Sequence, residues 1–200
     1  KKRPYIILKW AQTSDGFIDG NFSMPIRISN DISKTCVHKL RAEEDAIMVG
    51  KNTALKDDPK LGCRRYEGKA PLRIAIDRNL EIPTYYNFYD NAQPTVIFNS
   101  LKDDGVRVKI NFKKDIIPQI LDWLYENKIQ SLIVEGGKYT LEQFIERGLF
   151  DAIQVEIGGT PCYSGVPAPT FSTENLVCEV DKFCDSTFIH YKKVNARNPF

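Results

Sequence analysis

The chain is expected to fold as an α/β domain of three layers, αβα, with a mixed, mainly parallel sheet and antiparallel C-terminal strands. Three observations predict this. Short β-branched runs alternate with segments of helical period as far as about Phe150, the pattern of strands laid parallel by helical crossovers. The remainder holds three strand-like runs with no helix between them, which calls for antiparallel pairing. Hydrophobic residues make up 42% and charged residues 27% of 200, close to the globular average, so one sizeable core can form.

Lysine and arginine number 28 against 26 aspartate and glutamate, a formal charge of +2. No general positive field follows, so nucleic-acid binding is not expected and any anion site must be local. The opening KKRP is too short for a nucleic-acid arm and leads into strand-like residues rather than an apolar signal core. Nothing in the composition points to a membrane protein. Cys36, Cys63, Cys162, Cys178 and Cys184 stand far apart with no C-x-x-C pair, which fits reduced thiols and a cytoplasmic protein. His38 and His190 complete the histidines, and neither sits in an H-x-E or H-E-x-x-H pattern, so no metal site is expected.

In chain order, RPYIILKWAQ precedes the turn residues of TSDGFIDGN and predicts a buried strand from Tyr5 to Trp10, ending near Ala11. In SNDISKTCVHKLRAEEDA, the cap candidates Ser29, Asn30 and Asp31 precede Ile32, Cys36 and Leu40 at spacings of four, predicting an amphipathic helix on that stripe. AIMVG stops at Gly50, and PLRIAID and PTVIFN repeat the pattern behind a proline; each predicts a central strand. Ile116, Ile120 and Leu124, flanked by Ile117 and Leu121, form a helical stripe in which Pro118 is tolerable only within the first turn. SLIVEGG predicts a strand closed by two glycines, and KYTLEQFIERGLF a helix that ends near Gly148. DAIQVEIGG, NLVCEV and TFIHYKKV are the late strands, and NARNPF reads as a frayed end.

Open α/β sheets bind ligands at the carboxyl ends of their strands. That rule picks out Lys9, the segment from Gly50 to Arg64, Asp77 with Arg78, and Glu135-Gly136-Gly137. The paired glycines admit two readings: a close approach to a phosphate at a helix N-terminus, or a turn shaped by sterics alone. So does the Gly50 segment. Either Thr53 caps a short helix from Ala54 to Asp57 that Asp58 before Pro59 ends, or a cleft is lined there by acid and base. On the second reading an aspartate handles a proton or hydroxyl while Arg41 and Arg64 hold a phosphate through forked hydrogen bonds. Lys9, between Leu8 and Trp10, either meets a partner or ligand or faces solvent from an edge strand.

Four stretches, RPYIILKWAQTSDGFIDG, HKLRAEEDAIMVGKNTALKDDPKLGCR, PLRIAIDRNLEIP and SLIVEGGKYTLEQFIERGLFDAIQVEI, together resemble the reductase domain of riboflavin biosynthesis. This is the dihydrofolate-reductase-like domain usually fused to a pyrimidine deaminase in bacteria. The resemblance runs to about Thr160 and is weak beyond it. It implies a dihydrofolate-reductase-like fold and an enzyme that uses NADPH to reduce a phosphorylated ribosylaminopyrimidine to its ribitylamino product, with hydride reaching C1′. The substrate is the aminouracil or its 2,5-diamino counterpart. By position, the resemblance implies that Lys9, Asp57 and Glu135 face the reacting sugar. Arg41, Arg64, Glu135 and the backbone near Leu61 match the substrate side. Ala11, Arg27, Thr53, Asp57, Arg78, Gly136 and Gly137 match the cofactor side, with Arg78 meeting the 2′-phosphate. Asp57 is expected to hold a hydroxyl or relay the proton that opens the sugar, and Lys9 to favour an oxygen bearing developing negative charge.

The chain departs from that pattern between Ser23 and Ser29, where a serine and, two residues on, a tryptophan are usual. Pro25 and Arg27 stand in those places, while Ile28-Ser29 keeps the pattern, so contacts from this loop are expected to be rearranged. No H-x-E with P-C-x-x-C is present, so deamination is not expected. Residues 1–200 are expected to form a single reductase domain, either excised from a larger deaminase–reductase protein or natural by itself. A homodimer is expected, with the antiparallel strands after Asp151 as its candidate interface. Two rival readings are a reductase of another pterin or pyrimidine, against which Arg41 and Arg64 speak, and a catalytically silent NADP sensor, against which Lys9, Asp57 and Glu135 speak.

Overall fold

The computed structural model describes residues 2–20 and 26–194; Pro25 in the departing loop and the tail at 195–200 lie outside them. The first half of the chain forms β1 (Tyr5–Gln12), β2 (Phe17–Gly20), α1 (Asp31–Glu43), β3 (Ala46–Gly50), α2 (Lys51–Asp57), β4 (Leu72–Ile76) and β5 (Thr95–Asn99). The second half forms β6 (Arg107–Lys109), α3 (Ile116–Glu126), β7 (Ser131–Val134), α4 (Lys138–Glu146), β8 (Ala152–Ile157), β9 (Gly165–Pro167), β10 (Leu176–Phe183) and β11 (Ser186–Lys193).

The main sheet has the order β10-β11-β8-β1-β7-β3-β4-β5-β6, parallel from β8 to β6 and antiparallel where β11 meets β8 and β10. Strand alternation divides the core in two. Leu8, Met48, Ile74, Phe98 and Val134 point to the face covered by α3 and α4, through Ile117, Ile120, Leu141 and Phe144. Ile47, Val49, Ala75 and Ile133 point to the other face, where Ala54 of α2 and Leu40 of α1 pack. The three-layer expectation is met, and among the described residues no helix is long and apolar enough to cross a membrane.

Local chemistry explains the helix boundaries. Asn30 caps α1 by accepting from the Ser33 amide at 2.8 Å, and Asp115 caps α3 by accepting from the Ile117 amide at 3.2 Å. Pro118 falls within the first turn of α3, where its missing N–H has no acceptor to lose. Gly148, at φ +60°, ends α4 just past its C-cap.

The structure departs from the sequence expectation at three places. The stripe Ile32, Cys36 and Leu40 is not the most buried line of α1: Leu40 packs partly buried against the core, Ile32 is exposed, and the fully buried residues are Ser33, Val37 and His38. A polar cleft, rather than an apolar core, takes part of this helix face. The late strand β8 is parallel to β1 and antiparallel only to β11. Short β2 and β9 pair with each other across most of the chain, and the turn-rich run that holds β2 carried no period to announce it.

Arg73 of β4 is buried in the sheet face beneath the segment after α2. Its guanidinium donates to Thr95 Oγ1 at 3.0 Å, to Asp90 Oδ1 at 2.8 Å and to the Lys60 carbonyl at 3.3 Å, and it lies over the Phe88 ring at 5.2 Å. Arg73→Ala removes all of these and leaves Asp90 without its partner; urea denaturation is expected to show a loss of about 3 kcal/mol.

Candidate active site

A cleft of about 1090 Å³ opens over the carboxyl ends of β1, β3 and β7, walled by α1, α2, α4 and the β2–β9 ribbon. Lys9, Ala11, Arg27, Arg41, Thr53, Asp57, Leu61, Arg64, Glu135, Gly136 and Gly137 all line it. A volume of that size exceeds what one drug-sized ligand usually fills, roughly 300–1,000 Å³.

Register and parity bring the charged residues together. Leu8 of β1 pairs with Val134 of β7, so the next residues, Lys9 and Glu135, stand side by side and turn to the α1 face. Lys9 therefore lies on an interior strand of the sheet, not on an edge. From α1, Arg41 donates to both oxygens of Glu135, Nε to Oε1 at 3.2 Å and Nη2 to Oε2 at 2.7 Å, and Nη1 reaches the Gly62 carbonyl at 3.3 Å. Burial alone would raise the Glu135 pKa. Arg41, then Lys9, outweigh it and hold the carboxyl below its usual range. Glu135 is thus a fixed anion, and Arg41 spends its fork on that anion.

The glycine turns interlock through backbone. A Cβ on Gly136 would lie 2.6 Å from the Gly50 nitrogen and 2.9 Å from the Val49 Cα. A Cβ on Gly50 would lie 2.5 Å from Thr140 Oγ1. Sterics therefore account for Gly136. Thr53 does not cap a helix that starts at Ala54: α2 begins at Lys51 behind Gly50, and the Thr53 hydroxyl instead accepts from the Gly137 amide at 2.9 Å. No side chain caps α4, whose first residues Lys138 and Tyr139 line the cleft. Free amide donors and the positive end of the helix dipole at such a terminus suit a phosphate.

Asp57 ends α2 and opens onto the cleft. Partial loss of hydration in that concave wall raises its pKa; Lys56 opposes this and the Asp19 carboxylate adds to it. Asp19 of β2 and Lys56 form an ion pair that ties the ribbon to α2. Beyond Asp57 the chain turns through two left-handed residues, Asp58 at φ +38° and Leu61 at φ +54°. Asp58 accepts from the Asn87 amide at 2.8 Å, and Arg73 grips the Lys60 carbonyl. Arg64 follows on this held loop, exposed and without an ion-pair partner among the described residues.

Arg78 is the one predicted site residue that the main cleft does not include. It lines a smaller hollow of about 640 Å³ with Ser100, Lys109, Asn111 and Lys113, its guanidinium 5.9 Å from the centre of the Phe112 ring. Sequence reasoning missed Asp19, Ser29, Lys34, His38 and Lys56, which also line the main cleft. Lys34, His38 and Arg41 recur at helical spacing, a polar stripe that a search for apolar periods passes over. Asp19 had no local signal, because its strand is defined by β9. Among the described residues no three His, Cys, Asp or Glu side chains gather as a metal site.

Because the Gly136 contacts are with backbone that cannot step aside, Gly136→Ala is expected to lower stability by about 2 kcal/mol or more in urea titrations. A shift below about 0.5 kcal/mol would mean that the two turns do not bear on one another.

Residues 4–174 match the family model described as the RibD C-terminal domain. The chain is 39% identical over 167 residues to the riboflavin biosynthesis protein RibD of Aquifex aeolicus, covering 78% of this chain and 47% of that protein. It is 32% identical over 166 residues to the 2,5-diamino-6-ribosylamino-4(3H)-pyrimidinone 5′-phosphate reductase of Methanothermobacter thermautotrophicus, covering 76% of each. It thus spans about half the length of RibD and three quarters of that reductase. The fold is similar to that of a Thermotoga maritima diaminohydroxyphosphoribosylaminopyrimidine deaminase/5-amino-6-(5-phosphoribosylamino)uracil reductase, with a TM-score of 0.84 at 23% identity over 96% of this chain and 57% of that one. It is also similar to the Saccharomyces cerevisiae riboflavin biosynthesis reductase Rib7, with a TM-score of 0.72 at 21% identity over 96% of this chain and 90% of that one. With most of its length inside the family model and relatives at this identity, the chain belongs to the RibD C-terminal domain family.

Proposed function

We propose that the chain is an NADPH-dependent reductase that converts the ribosylamino group of a pyrimidine ribosylamine 5′-phosphate to a ribitylamino group. The observation that carries this is the convergence, in one cleft, of Lys9, the Arg41-held Glu135, Asp57 with its raised pKa, and Arg64, which has no ion-pair partner among the described residues, at an end of α4 that no side chain caps. The curated relatives named as 2,5-diamino-6-ribosylamino-4(3H)-pyrimidinone 5′-phosphate reductases support the diamino substrate; the deaminated aminouracil is its counterpart.

The residues present fit a dinucleotide, since the α4 terminus offers backbone donors to a diphosphate. Bound there, NADPH supplies the hydride for the sugar C1′. The protein's share is to orient and to move a proton. Glu135, ionised and clamped, accepts a sugar hydroxyl and sets the height of the ring above β7. Lys9 stabilises negative charge developing on the ring oxygen, and Asp57, whose pKa is raised, delivers the proton that opens the ring. Arg64 holds the 5′-phosphate, a role for which Arg41 has few donors left. Arg78, with Lys109 and Lys113 nearby, meets the 2′-phosphate of the cofactor. We also propose that the protein works in the cytoplasm as a homodimer, joined through the C-terminal strands, where Val177, Val180 and Phe183 of the edge strand β10 are exposed.

Anaerobic NADPH oxidation with both pyrimidine ribosylamine phosphates, and with dihydrofolate as control, tests the reading; consumption with dihydrofolate alone would reverse it. Asp57→Asn is expected to lower kcat about a hundredfold or more. In the parent enzyme kcat should fall as pH rises through the raised Asp57 pKa, because the acid loses its proton, and this limb should vanish in the variant.

Arg78→Ala is expected to raise KM for NADPH about tenfold to a hundredfold while leaving NADH nearly unaffected, from the loss of one charge-assisted contact. An unchanged preference between the two cofactors would remove Arg78 from the site.

A further inference from the structure

Five buried side-chain atoms lack a hydrogen-bond partner among the described residues: Ser33 Oγ, His38 Nδ1, Asp77 Oδ1, Arg107 Nε and Glu156 Oε1. Of these residues His38 is the one that lines the main cleft. It sits one turn before Arg41 and one after Lys34 on α1, and only 4% of its surface is exposed. An apolar residue would fill the same place without burying an unused nitrogen, so the fold gains nothing internal from Nδ1. The sealed Nδ1 is not the part of the ring that meets the cleft, which leaves that edge to Nε2 and the carbons beside it.

The charges around the ring come from three elements. Arg41 and Lys34 belong to α1 itself, Arg64 and Arg65 come from the loop after α2, and Glu135 from the turn that follows β7. Both Glu135 oxygens are taken by Arg41, and Arg65 pairs with Asp31 at 3.1 Å. Four cations thus face two carboxylates, Glu135 and Asp31, and in this excess of positive charge the ring remains neutral. Burial, then Arg41, Arg64 and Arg65 lower its pKa to about 4, with Glu135 opposing them.

We propose that His38 is a substrate-contacting residue that donates a hydrogen bond from Nε2 to the sugar phosphate held by Arg64. This rests on the functional reading above, which puts the phosphate beside Arg64. A bound dianion reverses the sign of the local field, so the ring gains affinity for a second proton when the phosphate arrives. His38 then becomes a cation only in the complex, and the free protein is spared a further unbalanced charge.

Since the chain holds two histidines, His38 and His190, ring ¹⁵N resonances can be assigned with a single His38→Asn variant. Titration with ribose 5-phosphate is expected to shift the His38 ring nitrogens saturably and to raise the ring's protonation midpoint by one pH unit or more, while ribose moves neither histidine. Arg64→Gln should abolish the effect. In turnover, His38→Asn is expected to raise KM for the phosphorylated substrate about tenfold, with a smaller change in kcat. The dephosphorylated nucleoside, lacking the group that His38 touches, should show none of that tenfold change; a packing role would move both substrates alike. Unmoved His38 resonances with ribose 5-phosphate bound, or equal KM values for parent and variant, would overturn the proposal while leaving the reductase reading intact. A shift with ribose 5-phosphate in a protein that turns over neither pyrimidine would sink the reductase reading alone.

Discussion

Two chain reversals that touch through bare backbone determine the shape of the cleft. Where β7 ends, Gly136 presses against Val49 and Gly50 at the end of β3, with no room for a methyl group on its Cα. This contact holds the start of α4 beside the start of α2, so that the Thr53 hydroxyl can accept from the Gly137 amide. It also fixes the direction in which the preceding residue, Glu135, leaves the sheet. A side chain at Gly136 would wedge the turns apart and move the carboxylate and the helix terminus together, because both are carried by the same few peptide units.

Electrostatics then separates two acids that the sequence presents as similar. Glu135 is enclosed but faces Arg41 and Lys9, and it stays ionised. Asp57 is open to the cleft but partly stripped of water beside Asp19, and it keeps its proton to higher pH. Carboxyl groups that line one cleft and are driven in opposite directions are the usual arrangement for a site that needs one fixed anion and one proton donor. The same division applies to the arginines: Arg41 is consumed in holding Glu135, and Arg64 has no ion-pair partner among the described residues.

The regular skeleton was legible because its signals are local. AIMVG, LRIAI, TVIFN and SLIV are buried on both sides and read as continuous apolar runs, and α3 and α4 carry clear periods. What failed to show was set at a distance. The β2–β9 pairing joins segments far apart in the chain, and the inward face of α1 is polar because a cleft rather than a core lies under it. The strand-end rule and the resemblance named many of the residues that line the cleft. The pairing of Arg41 with Glu135, the Asp19–Lys56 tie and the burial of His38 depend on three-dimensional register that no spacing encodes.

The loop that bears Arg64 is held in one conformation by groups on either side of it. A leucine in the left-handed region is unfavourable by roughly 1 kcal/mol, as is an aspartate to a lesser degree, so Asp58 and Leu61 would relax in a free segment. Here Leu61 is sunk in the core at 3% exposure, Asn87 holds Asp58, and buried Arg73 holds Lys60. Ordering this segment during folding means that a ligand need not order it later, so more of the interaction between Arg64 and an anion appears as affinity. A buried arginine on β4 with no surface of its own thus helps to keep the chain between α2 and Arg64 in one conformation.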